Sequence, residues 1–146
     1  MKIRELMSTP AVVVPPFIAV RDVAKHMDYS GVGCVVVSDG QGVIGVVTDR
    51  DLALRVLARG SDGDTPVSRA MTTDPVTVRP DEDLDIAFDV LRRHPFRRLP
   101  VVDGGVVIGM VTVDDLLLRV HQVTTDLLRP VASAINEPQH PAGHLE

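Results

Sequence analysis

The sequence predicts an α+β fold, α/β-like in its element order: two tandem β-α-β-β-α repeats packed sheet to sheet with pseudo-two-fold symmetry. Three observations predict it. Residues 42–54, GVIGVVTDRDLAL, return as residues 106–118, VVIGMVTVDDLLL. Met7 and Met71, Pro16 and Pro80, Gly45 and Gly109, Thr48 and Thr112, and Asp51 and Asp115 are each 64 positions apart, so one ungapped shift lays nearly the whole chain on itself. Within each copy, short β-branched runs alternate with apolar residues at helical spacing.

Composition sets the scale of each repeat. The 146 residues are 45% hydrophobic and only 3% aromatic, so the core has to be built from Val, Leu, Ile and Ala. A domain of about 64 residues buries only about 60% of its unfolded surface and is marginal alone, which predicts that the halves share a core. The net charge of −5 argues against nonspecific binding to nucleic acid, which needs clustered Lys and Arg. A small phosphorylated ligand is compatible with it. The single cysteine, Cys34, forms no internal disulfide and fits a reducing compartment. No apolar stretch approaches the roughly 20 residues of a membrane span, and no signal-peptide apolar region follows the first residues. The expected location is cytoplasmic.

The elements follow in order. Residues 3–7 read as a short turn or entry helix, and 11–14 as a strand closed by Pro15 and Pro16. Val20, Val23, Ala24 and Met27 place a helix over 17–29, which Ser30 and Gly31 stop. Residues 34–37 and 43–47 read as a hairpin around Asp39, Gly40, Gln41 and Gly42, followed by a Leu-rich helix ending near Gly60. The second copy repeats this: a turn over 67–71, strands at 76–78, 99–102 and 106–111, a helix over about 82–93 with Asp81 as N-cap, and a helix from Val113. The organisation is repeat 1 over 1–60, a linker over 61–66 and repeat 2 over 67–121. A further helix or extension over 122–135 would be broken or kinked by Pro130, and 136–146 reads as a disordered tail.

The two apolar strands ending in Gly45 to Asp51 and Gly109 to Asp115, each leading into a Leu-rich helix, together with Arg98-Leu99-Pro100-Val101-Val102-Asp103, resemble the tandem cystathionine-β-synthase-type (CBS) domain pair, or Bateman module. The resemblance covers about residues 3–120. It implies a regulatory module that binds an adenine nucleotide or adenosyl ligand between its repeats: AMP, ADP or ATP, with S-adenosylmethionine and NAD as further candidates. It implies no required cofactor, a homodimer, and signalling through a protein effector or through its own oligomer.

Thr48 and Asp51, with Thr112 and Asp115, stand where a strand hands over to a helix. An aspartate there can accept from two ribose hydroxyls, and the threonine hydroxyl and free helix amides can meet sugar or phosphate. The same spacing is close to a capping box, and the two roles can coexist. By resemblance Arg50, Arg97 and Arg98 are phosphate contacts, and Val12 and Val76 are walls for the adenine. Solvated surface is the plain alternative for the arginines, and core for the valines. The counterparts of Arg97 and Arg98 are Gly33 and Cys34, and that of Arg50 is Asp114, so the two clefts are not equivalent and a single occupied one is expected. Cys34 has no basic neighbour in sequence and reads as a small apolar residue. The five histidines share no ligand spacing, which disfavours a metal site. With no nucleophile arrangement or phosphate loop in the sequence, an enzyme is not expected. A ligand-free structural or dimerisation module is the alternative.

Overall fold

The structure, a computed structural model, describes residues 1–136. A 3-10 turn at Ile3–Glu5 leads to β1 (Val13–Val14), α1 (Val20–Ser30) and the hairpin of β2 (Cys34–Ser38) and β3 (Val43–Thr48). Helix α2 starts as one α-helical turn, Asp49–Asp51, and continues as a π-helix over Leu52–Leu57. A 3-10 turn at Val67–Arg69 opens the second half. It is followed by β4 (Thr72–Thr73), α3 (Leu84–Arg93), the hairpin of β5 (Arg98–Asp103) and β6 (Val106–Thr112), and α4 (Val113–Asn136).

The duplication is preserved in the strand register. Cys34 pairs with Thr48 and Arg98 with Thr112, and each hairpin carries a register shift at the same point, after Val37 and after Val101. Alternation along the strands sorts the side chains. Val35, Val37 and Val47 face the helices of the first repeat, with Val23 and Met27 of α1. Leu99, Val101 and Val111 do the same with Leu84 and Ala87 of α3. The opposite pleat faces the partner sheet, where Cys34 and Val36 pack on Met110. This third cluster is the sheet-to-sheet contact, and each fully buried Val contributes about 1.5–3 kcal/mol.

The repeats are joined more closely than by face packing. Ile3, at the start of the first repeat, is fully buried in the core of the second, among Val78, Leu84 and Leu99. Val67 and Ala70 are buried in the core of the first, among Val14, Val23 and Val47. The backbone follows: β4 pairs with β3, and Ser8 bridges Met110. Each half thus lends its leading segment to the other.

Several local expectations change. Helix α1 begins at Val20, because Ala19 is extended and Val20 N–H donates to the Thr65 carbonyl, anchoring the start outside the helix. Gly31, at φ +64°, ends it. Asp81 is not the N-cap of α3; Asp83 holds that position, and the Asp81 carboxylate accepts from Arg79 Nη2 at 3.0 Å instead. Neither short leading strand is complete: 11–14 shortens to Val13–Val14, and 76–78 to one bridge between Val78 and Val101. The sheets therefore differ, with order β1-β2-β3-β4 in one and β5-β6 alone in the other. Pro130 does not break the last helix, which runs unbroken from Val113 into the stretch expected as a separate element. The lost N–H leaves the Asp126 carbonyl without its helical donor, but that whole turn is exposed, so water can supply one. Of the tail expected over 136–146, Asn136 ends α4 and the remainder lies outside the described residues. No helix of the described residues is long and apolar enough to cross a membrane.

Candidate functional site

At both junctions the strand stops because threonine takes an extended cap conformation and its side chain takes over a helix amide. Thr48 Oγ1 accepts from Asp51 N–H at 3.1 Å, and Asp51 Oδ2 accepts from Thr48 N–H at 2.9 Å. The second junction repeats this: Thr112 Oγ1 accepts from Asp115 N–H at 3.1 Å, and Asp115 Oδ2 from Thr112 N–H at 3.0 Å. Both are complete capping boxes. Each uses only one carboxylate oxygen. The other oxygen of Asp51 lies 3.7 Å from Arg55 Nε, and Arg55 Nη1 donates to the Ala70 carbonyl at 3.0 Å.

Two clefts lie between the repeats, related by the 64-residue shift. In one, of about 240 Å³, Thr48 and Asp51 of the first repeat face Val76 and Phe96 of the second, with Arg98 at the inner end. In the other, of about 200 Å³, Thr112 faces Val12, Val32, Gly33 and Cys34, again with Arg98. A central hollow of about 190 Å³ shares Arg98 and Thr48 with the first and Arg98 and Met110 with the second, and is also lined by Arg50, Arg97 and Asp49. Val76 thus belongs with Thr48 and Asp51, and Val12 with Thr112, each wall coming from the repeat opposite its junction. Asp115 is half-buried and is not among the residues lining these three spaces. Wider grooves of about 510 and 360 Å³ lie between α1 and α2, where Asp49 of the first junction lines the edge, and between α3 and α4.

The charges in the centre are uneven. Arg97 is held by Asp114 at 3.8 Å, so the aspartate that stands in place of Arg50 is partly neutralised by the neighbour of Arg98. Gly33 leaves room for the guanidinium: a β-carbon there would lie 3.3 Å from Arg98 Nη2 and 3.1 Å from Asp49 Oδ2. The Cys34 thiol is pushed up to about 11 by burial, against the pull of Arg98, so it stays a neutral wall residue.

Sequence reasoning missed Phe96, Asp74 and Gly33 as cleft residues. The repeat shift held a signal for Asp74, which stands at the position of Pro10, and both line their clefts. Asp74 adopts φ +49°, a conformation Asp tolerates better than most residues. Nothing in the sequence pattern marks Phe96. His94 stacks on it at a ring-centroid distance of 4.8 Å.

The comparisons with known proteins agree with this architecture. The family model of the CBS domain matches residues 3–58 and 67–122. The CBS domain-containing protein YhcV of Bacillus subtilis (strain 168) is 38% identical over 118 residues, covering 80% of this chain and 84% of that protein. The CBS domain protein PAE2072 from Pyrobaculum aerophilum, solved in complex with AMP, is 30% identical with a TM-score of 0.71, covering 80% of this chain and 90% of its own. The CBS domain pair of protein MJ0100, solved with 5'-methylthioadenosine and S-adenosyl-L-methionine, superposes with a TM-score of 0.75 over 84% of this chain and 97% of its own; at 21% identity it is a likeness of fold alone. The chain belongs to the CBS-domain family, as a tandem pair of its domains.

Proposed function

We propose that the protein is a regulatory module that binds an adenine nucleotide or related adenosyl ligand between its repeats and passes occupancy to a protein effector or to its own homodimer. One observation carries this reading: the capped Asp51 of one repeat, Val76 of the other and the Arg98 guanidinium meet in a single cleft. The carboxylate oxygen of Asp51 not used by the cap suits a ribose hydroxyl, Val76 and Phe96 suit an adenine face, and the arginines of the central hollow suit a phosphate. The relative solved with AMP makes that nucleotide the first candidate. ADP, ATP, S-adenosylmethionine and NAD follow.

A ligand touching both repeats favours the arrangement of repeats that it binds more tightly, which converts binding into a signal. A route exists from the site. Arg55 connects Asp51 to the carbonyl of Ala70, in the segment that the second repeat lends to the first core. The neutral Cys34 and the cap-bound Thr48 oxygen favour a sensor over an enzyme. Isothermal calorimetry with AMP tests the reading, and an absence of heat with each of the candidate ligands refutes it.

A ligand-free dimerisation module is the second reading. It is favoured by the capping role that Thr48, Asp51, Thr112 and Asp115 already fill and by exposed Leu117, Leu127 and Val131 along α4. A melting temperature unmoved by any adenosyl ligand, with a stable dimer in sedimentation, would support it, because a ligand specific for the native state raises the melting temperature.

A further inference from the structure

The two junctions match as far as Asp51 and Asp115 and then part. Arg55 and Arg119 stand at the same place after them, 64 positions apart. Arg55 reaches two ways: its Nε lies 3.7 Å from the Asp51 oxygen that the cap leaves over, and its Nη1 donates to the Ala70 carbonyl at 3.0 Å. Arg119 does neither. Among the described residues it makes no ion pair with Asp115 and no hydrogen bond to Leu6, the counterpart of Ala70, and it lines the groove between α3 and α4 instead.

Helix type accounts for the difference in aim. Leu52–Leu57 form a π-helix, closed by Ala58 N–H donating to the Ala53 carbonyl at 2.8 Å, whereas the corresponding residues 116–121 lie in the α-helix α4. A π turn takes more residues than an α turn, so the fourth residue after the aspartate leaves the helix axis at a different angle in the two copies.

The partners of Arg55 belong to opposite sides of one cleft. Asp51 lines the Thr48 cleft from the first repeat, and Thr72, Asp74, Pro75 and Val76, which follow Ala70 in the chain, line it from the second. Arg55 is not among the lining residues, so it links the two walls outside the space a ligand would fill. The Arg55 side chain is 38% exposed and that of Asp51 18%, which shelters the pair from full screening by water.

Resting on the reading of the clefts as adenosyl sites, we infer that Arg55 is a positioning residue for the Thr48 cleft. It holds the spare oxygen of Asp51 where a ribose hydroxyl meets it, offsets the charge of that carboxylate beside a bound phosphate, and fixes the spacing between Asp51 and the wall formed by 72–76. A cleft whose walls are already held loses less freedom when it binds. The Thr112 cleft has no equivalent link among the described residues, because Arg119 points elsewhere.

Calorimetry and equilibrium dialysis with AMP on the full chain test this through a double-mutant cycle. The cycle is needed because losing the donor of the Ala70 carbonyl also lowers stability, and only the comparison with an Asp51→Ala background separates the two effects. Arg55→Met, which keeps the apolar stem, should weaken AMP about tenfold in the unmutated chain and less than about twofold in the Asp51→Ala chain. Arg119→Met, the same position in the other repeat, should change AMP affinity less than about twofold. If Arg55→Met does not fold, Arg55→Lys decides: one ammonium can reach Asp51 or Ala70 but not both, and about a fivefold loss is expected. AMP affinity unchanged by Arg55→Met or Arg55→Lys, an equal loss in both backgrounds, or the same loss from Arg119→Met overturns the inference and leaves the cleft reading intact. An unmutated chain that binds no AMP or other adenosyl ligand overturns the cleft reading and the inference with it.

Discussion

Gly109 lies directly beneath the backbone of Ser8: a β-carbon on the glycine would stand 2.8 Å from the Ser8 carbonyl oxygen and 2.9 Å from Met7 Sδ. Sixty-four positions earlier Gly45 lies under Met71 and Thr72 in the same way, with distances of 2.5 Å to Met71 Sδ and 3.0 Å to the Thr72 carbonyl. These two crossings hold each leading segment on the opposite repeat, and they fix the relative placement of the junctions that carry Thr48 and Thr112.

Alanine at either glycine is therefore destabilising for steric reasons, by about 1–3 kcal/mol as in other overpacked sites. Gly109→Ala is expected to cost more, because its nearest obstacle is backbone, whereas the nearest at Gly45 is the flexible end of Met71. Urea unfolding of the two variants checks the order, and equal midpoints would contradict it.

Asp51→Ala removes the acceptor of the Thr48 amide and, on the proposed reading, a ribose contact. The cap alone is worth about 0.5–2 kcal/mol. Asp115→Ala loses the same cap, but its carboxylate is not among those lining the clefts, so AMP affinity should fall more for Asp51→Ala at similar loss of stability. Paired calorimetry and thermal melts separate the two effects.

Stability should decline on the alkaline side through Cys34. Burial raises its pKa in the folded chain from 9.0 to about 11. Below pH 9 the thiol is protonated in both states. As pH rises from there to about 11 the unfolded chain releases a proton that the folded chain keeps, which favours unfolding by at most about 1.4 kcal/mol per pH unit. Cys34→Ala should flatten that part of the profile in denaturant titrations, and the thiol should resist alkylation at pH 8 in the folded protein.

Pro130→Ala restores the amide that can donate to the Asp126 carbonyl, a local gain of about 3 kcal/mol in helix propensity. The described residues beyond Val120 are all exposed. Proteolysis near residue 130 should therefore slow, while the melting temperature of the core stays unchanged. A shifted melting temperature would mean that this segment packs on the core.

The residues show how much of this was legible. Thr48 to Asp51 and its twin were visible as junctions because a capping box is a local device, written into four consecutive residues. The start of α1 was not: Val20 N–H is met by Thr65, far along the chain, and no local pattern announces such a partner. Phe96 was missed for the same reason, since a cleft wall is chosen by what faces it.

The duplication, the order of strands and helices, and the chemistry available at the junctions are written in the residues alone, because periodicity and capping act over a few residues. That Ile3 and Val67 change places between the cores, that Val76 rather than Val12 faces Asp51, and that a single Arg98 lines both clefts is visible first in the folded chain. Those are relations between distant segments, settled by which surfaces remain to be buried once the local elements have formed.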